Sequence, residues 1–141
     1  MKKYSIKEVS EITHLSIPTL RYYDREGLLP CLERKESGYR VFSEIDLTML
    51  EIIECFKKSG LQIKEMKCFI ELIKQGDASL EARYNLFVER KEAVESQIAE
   101  LEKMLKLINH KCWYYQTAIE AGTEAIHRGE FCWDSKEGET P

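Results

Sequence analysis

The chain has no apolar run approaching the ~20 residues that a membrane span needs, and its opening MKKYSIKEVSE lacks the hydrophobic stretch of a secretory signal. A cytoplasmic protein with no membrane partner is the expectation. No C-x-x-C pair occurs. The five cysteines, at positions 31, 55, 68, 112 and 132, are odd in number and irregularly spaced, which fits neither a disulfide framework nor a zinc ligand set. The sequence contains no H-E-x-x-H, no P-loop, no Gly-rich nucleotide turn and no Ser/His/Asp set, and its three histidines, 14, 110 and 127, are scattered. An enzyme is therefore not expected, and neither a metal nor a cofactor is called for.

What is present is an ordinary globular balance, 43% hydrophobic and 33% charged over 141 residues. The net charge of -4 alone argues against a nucleic-acid partner, but it is unevenly placed. Residues 1–75 hold 13 Lys and Arg against 12 Asp and Glu; residues 76–141 hold 8 against 13. The acid lies in the second half, which leaves the first half free to carry a local basic face.

Ser5 followed by Glu8 makes a capping box, and Ile6, Val9, Ile12 and Leu15 form one apolar stripe, so residues 6–14 read as a short helix. Ser16 is a second N-cap with Pro18 in the first turn, Leu20 and Tyr23 mark an inner face, and Gly27 stops the helix. Two short helices joined by about three residues form a helix-turn-helix. Two β-favouring runs, residues 32–35 and 39–42, then flank Glu36-Ser37-Gly38 and predict a hairpin with Arg34, Lys35 and Arg40 near its tip. A helix-turn-helix followed by a basic hairpin is a winged helix.

Ser43 caps a third helix with Ile45, Leu47, Leu50, Ile53 and Phe56 as its buried candidates, ended by Gly60; a fourth closes at Gly76. From Leu80 the positions 80, 84, 87, 91, 94, 98, 101, 105, 108, 112 and 115 advance by alternating steps of four and three, and all but Lys91 are apolar, Tyr or Cys. A sustained 3.5 period is a coiled-coil seam. A helix of ~35 residues would be ~50 Å long, too long to bury its seam against a small head. Its own copy in a homodimer is the simplest partner; the alternative is a helix folded back on a short terminal segment. The expected fold is mainly α: a winged helix-turn-helix head with a small β-hairpin wing (1–75), a coiled-coil dimerisation helix (76–122) and a short C-terminal segment (123–141) holding Phe131, Cys132 and Trp133.

The second helix of a helix-turn-helix enters the major groove of DNA. Thr19, Arg21 and Tyr22 would face the duplex. Arg21 can offer a fork of N–H donors to guanine or phosphate, and Tyr22 a hydroxyl to phosphate. The wing would add Arg34, Lys35, Tyr39 and Arg40. The plain alternative is that Arg25 pairs with Asp24 or Glu26 and the tyrosines are core, which is the expected fate of Tyr23.

The stretch YSIKEVSEITHLSIPTLRYYDREGLLP, followed by RKESGYRVFSEIDLTMLEIIECFKKSGLQIKEMK, resembles the MerR family of bacterial transcription regulators over roughly residues 3–75, with T-L-R-Y-Y-D, G-L, G-Y-R-x-[YF] and D-x-x-x-L in order. The resemblance implies a homodimer joined by an antiparallel coiled coil. The dimer would sit on double-stranded promoter DNA, bend and untwist an overlong spacer, and so act on RNA polymerase indirectly. By position it implies DNA contacts at Arg21, Tyr22, Tyr39 and Arg40, and at the start of the fourth helix, residues 62–64, where Lys64 and the helix amides would meet phosphate.

Effector sites of this family lie in the C-terminal half. Metal-sensing members carry a cysteine pair in a short loop there, whereas Cys112 and Cys132 stand 20 apart and position 79 is Ser. The segment EIIECFKKSGL resembles the one that carries a lone reactive cysteine in aldehyde- and electrophile-responsive members, and Cys55 falls on that position. Lys57 and Lys58 nearby would favour a thiolate. The competing assignment is a packing role for Cys55 beside Ile52 and Phe56. Alternatives at the level of function are a metal- or thiol-stress regulator of the same fold, and a coiled-coil interaction module that binds no DNA.

Overall fold

The computed structural model describes residues 2–129. Helices dominate. They are α1 (Ile6–Thr13), α2 (Ile17–Arg25), α3 (Glu44–Lys58), α4 (Ile63–Lys74) and α5 (Leu80–Ala121), and a two-stranded antiparallel hairpin, β1 (Glu33–Arg34) and β2 (Arg40–Val41), lies between α2 and α3. Among the described residues no helix is long and apolar enough to cross a membrane. The chain divides into two compact units, Met1–Val94 and Glu95–Pro141.

The caps of the first unit follow from local sequence. The Ser5 hydroxyl accepts from the Glu8 amide at 3.2 Å, while the Glu8 carboxylate accepts from the Ser5 amide at 3.1 Å. The Ser16 hydroxyl accepts from the Thr19 amide at 3.2 Å. At α3 the buried Asp46 carboxylate accepts from both the amide and the hydroxyl of Ser43, at 2.8 and 3.1 Å, so a charge that is 1% exposed is satisfied at a helix N-terminus. The α1–α2 turn holds His14 at φ 61°, in the left-handed region where a non-glycine residue is uncommon. The Ser10 hydroxyl steadies this turn by donating to the Leu15 carbonyl at 2.6 Å.

Thirteen buried residues form the core of the first unit. Val9, Leu20, Tyr23 and Leu28 from the helix-turn-helix meet Phe42, Leu50, Ile53 and Phe56, with Met66, Phe69 and Ile70 from α4 closing the far side. The start of α5 joins them: Phe87 packs against Phe56 and Phe69 with ring centroids 5.1 and 5.6 Å apart. The corner before it is a 3-10 turn, Gly76–Ser79, tied by Arg83, whose Nε donates to Ser79 Oγ at 3.0 Å and whose Nη2 donates to the Gly76 carbonyl at 2.9 Å. Ser79 is thus a structural residue.

Two expected core positions are corrected. Ile12 is 53% exposed and Ile45 52%. Both lie beside the buried stripe of a short helix, and the small head has no further layer to cover them. The hairpin is shorter than expected. It is extended by Tyr4, which exchanges backbone hydrogen bonds with Phe42 at 2.8 and 2.9 Å and so lays the N-terminal residues beside the wing.

In the second unit, burial centres on Tyr114 and Ala118 among the described residues. The short 3-10 turn Glu124–His127 folds back on the end of α5: the Tyr114 hydroxyl donates to Glu124 at 2.9 Å, and the His127 ring stacks on Tyr114 at 4.4 Å and leans on Trp113 at 4.8 Å. Its reach is local. Ile98, Leu101, Leu105 and Ile108, all seam positions, remain about half exposed or more. Phe131, Cys132 and Trp133 lie outside the described residues.

Candidate nucleic-acid interface

The outer face of α2 and the wing lie side by side. The helix period that buries Leu20 and Tyr23 turns Arg21 and Tyr22 outward, with Tyr22 40% exposed. Thr19 is half-buried, and its hydroxyl shares a hydrogen bond with that of Ser16 at 2.8 Å. Tyr23 anchors the back of the helix. Its hydroxyl donates to Glu54 of α3 at 2.7 Å, and burial, reinforced by that carboxylate, raises the phenol pKa well above its usual value.

The wing turns at residues 35–38. The Gly38 amide donates to the Lys35 carbonyl at 2.8 Å, and Gly38 adopts φ 87°, which a side chain would strain. This turn presents Lys35 and Tyr39 to solvent, Tyr39 with 73% of its surface exposed. A cleft of about 250 Å³ runs between α2 and the wing, bounded by Arg21, Tyr39, Arg40 and the turn at Ser37-Gly38. A second, of about 520 Å³, lies across the wing and includes Lys3, Lys35, Tyr39 and Arg40. The two share Tyr39 and Arg40. A face with three or four cations, two tyrosine hydroxyls and open clefts suits a polyanion.

Asp24 is a member that inspection of the sequence overlooked. Its carboxylate accepts from Arg34 Nη2 at 2.5 Å and Arg40 Nε at 2.7 Å, which joins α2 to the wing. Glu26 meanwhile pairs with Lys67 of α4 at 2.5 Å. Both acids next to Arg25 are therefore engaged elsewhere, and the Arg25 pairing considered from sequence does not form. The only sequence signal for Asp24 was an acid inside T-L-R-Y-Y-D; its partners are 10 and 16 residues away.

Lys64 stands exposed in the first turn of α4 and lines neither cleft. Cys55 is exposed on α3, whose inward positions are Leu50, Ile53 and Phe56. The packing role weighed for it is therefore not what this fold displays. Among the described residues no cluster of His, Cys, Asp and Glu has the geometry of a metal site.

The family model described as the MerR HTH family regulatory protein matches residues 4–71. An uncharacterized HTH-type transcriptional regulator of Haemophilus influenzae is 39% identical over 120 residues, covering 85% of this chain and 89% of the relative. The crystal structure of HiNmlR, described as a MerR family regulator lacking the sensor domain and bound to promoter DNA, is similar at a TM-score of 0.80 and 38% identity, covering 89% of this chain and 99% of that one. A MerR-family regulator of Bacillus thuringiensis is similar at a TM-score of 0.72 and 39% identity, covering 79% and 97%. With the winged helix-turn-helix, its basic face and the long helix all in place, this chain belongs to the MerR family of HTH transcriptional regulators.

Proposed function

We propose that the protein binds promoter DNA sequence-specifically as a homodimer and regulates transcription by distorting an overlong promoter spacer. The observation that carries this is the shared exposed face of α2 and the wing, where Arg21, Tyr39 and Arg40 bound one cleft. The promoter-bound state of HiNmlR, 38% identical to this chain, supports it. In this proposal α2 enters the major groove with Arg21 on base edges or phosphate, and Thr19 and Tyr22 beside it. Lys35, Tyr39, and the N–H groups of Arg34 and Arg40 that Asp24 leaves open, hold the backbone alongside. Lys64 and the first amides of α4 meet a further phosphate.

The half-exposed seam from Ile98 to Ile108 supports dimerisation through α5. A two-fold dimer reads two half-sites at a fixed separation. If that separation mismatches relaxed DNA, binding must bend or untwist the spacer, and RNA polymerase then meets a realigned promoter.

Cys55 is the proposed sensor. Its thiolate would add to an aldehyde carbonyl, forming a C–S bond while the oxygen takes a proton, or to the β-carbon of an enone. The exposure of Cys55 supports access by such an electrophile. The test is a footprint on the protein's own upstream DNA, with and without a small aldehyde, beside Cys55→Ser. Protection of an inverted repeat across a long spacer is expected, with an aldehyde effect that the variant loses. Protection that ignores the aldehyde would keep the regulator and remove Cys55 from it. No protection would favour the coiled-coil module that binds no DNA.

A further inference from the structure

Arg34 and Arg40 are direct partners across the hairpin, a placement in which two like charges oppose each other and weaken the pair. The Asp24 carboxylate, only 13% exposed, accepts from both. Arg40 is 17% exposed and bonds through Nε, which fixes its guanidinium, and it lines the cleft shared with Arg21 and Tyr39. Two long cationic side chains, which would otherwise sample many rotamers, are thereby held in one arrangement by the recognition helix itself.

Non-specific DNA binding is almost wholly electrostatic, and mobile cations serve it well because they can follow any phosphate. Cations held by a carboxylate serve it poorly. They carry less net charge, and they reach a phosphate only where the backbone passes at one set position. We infer that Asp24 is a specificity-determining residue, which restrains Arg34 and Arg40 so that they engage operator backbone and discriminate against unrelated duplex. This rests on the DNA-binding function proposed above.

The test compares the full-length parent protein with Asp24→Asn on its own upstream DNA and on a shuffled duplex of equal length, by fluorescence anisotropy over a range of salt, with thermal unfolding followed in parallel. Asp24→Asn is expected to weaken operator binding about tenfold and to strengthen shuffled-duplex binding severalfold. The salt slope on the shuffled duplex should steepen by ~1–2, since each newly contacted phosphate adds ~0.9. Affinities that move together by one factor, or that do not move, would overturn the inference and leave Asp24 a structural residue. Arg34→Gln provides a second test on a half-exposed side chain. Operator binding should fall while shuffled-duplex binding stays within about twofold, because a restrained arginine contributes little to the latter; an equal loss on both would also overturn it. A parent protein that binds neither duplex would overturn DNA binding itself, and the inference with it.

Discussion

The two units of the chain solve burial in different ways. The first places thirteen residues in one core, with Val9, Leu20, Leu28 and Phe42 at 0% exposure. The second buries Tyr114 and Ala118 among its described residues and leaves Ile98, Leu101, Leu105 and Ile108 largely in solvent. Composition does not explain this, since both are rich in Leu and Ile. The difference lies in geometry. Four short helices and a hairpin can turn their apolar faces toward one another, whereas a single helix has nothing opposite its seam except another helix. The first unit is thus complete as a fold. The second leaves an apolar stripe uncovered.

The sharpest way to break this contrast is to damage each side. Phe56→Ala removes the ring that Phe69 and Phe87 both pack against. It is expected to cost ~3–5 kcal/mol in urea unfolding. Leu105→Ala is expected to cost about 2–4 kcal/mol of dimer stability, read as an unfolding midpoint that shifts with protein concentration. A loss under ~0.5 kcal/mol, as for an ordinary surface position, would mean that the seam has no partner. Arg21→Ala probes the first unit's outer face. Operator affinity should fall by ~1–3 kcal/mol with no change in melting temperature.

Smaller effects sharpen the account of the first unit. Tyr23→Phe deletes a hydroxyl that donates to a carboxylate, so ~1–2 kcal/mol of stability should be lost at neutral pH. The Tyr23 pKa is raised in the folded state, so its contribution is fully present below the ordinary phenol value of ~10 and is lost as pH rises from there toward the folded value. The alkaline decline in stability should therefore be shallower in the variant, and an unchanged pH profile would remove Tyr23 as its source. Last, His14→Gly relieves a left-handed backbone and should add ~0.5–1 kcal/mol.

These variants also mark where inspection of the sequence succeeded and where it stopped. Ser5 with Glu8, Ser16 ahead of Pro18, and Gly27 were readable because a cap lies within four residues of what it satisfies. The long helix was readable because its period repeats through some thirty residues. Ile12 and Ile45 were misjudged as core because periodicity names a helix face but not the depth of material above it. Cys55 was weighed as a packing residue for the same reason, since sharing a side with Ile52 does not bury a thiol. The clasp of Asp24 on Arg34 and Arg40 and the pairing of Tyr4 with Phe42 were out of reach, because each joins residues that only the tertiary fold brings together. Arg21, Tyr22 and Tyr39 were singled out because their residue types sit oddly on a short helix and a hairpin that otherwise read as core, and all three are exposed.

The corner between α4 and α5 has a mechanical consequence. Arg83 reaches back from the first turn of α5 to Gly76 and Ser79, and Phe87, one turn further on, packs against both Phe56 and Phe69, which also touch each other. A joint made of a bare glycine turn would flex and absorb displacement. This one is braced on the backbone side and packed on the other, and close-packed interiors transmit strain. The opening turns of α5 are thereby clamped to α3 and α4 and cannot swivel on the glycine alone, as a bolted bracket cannot turn on a single pin.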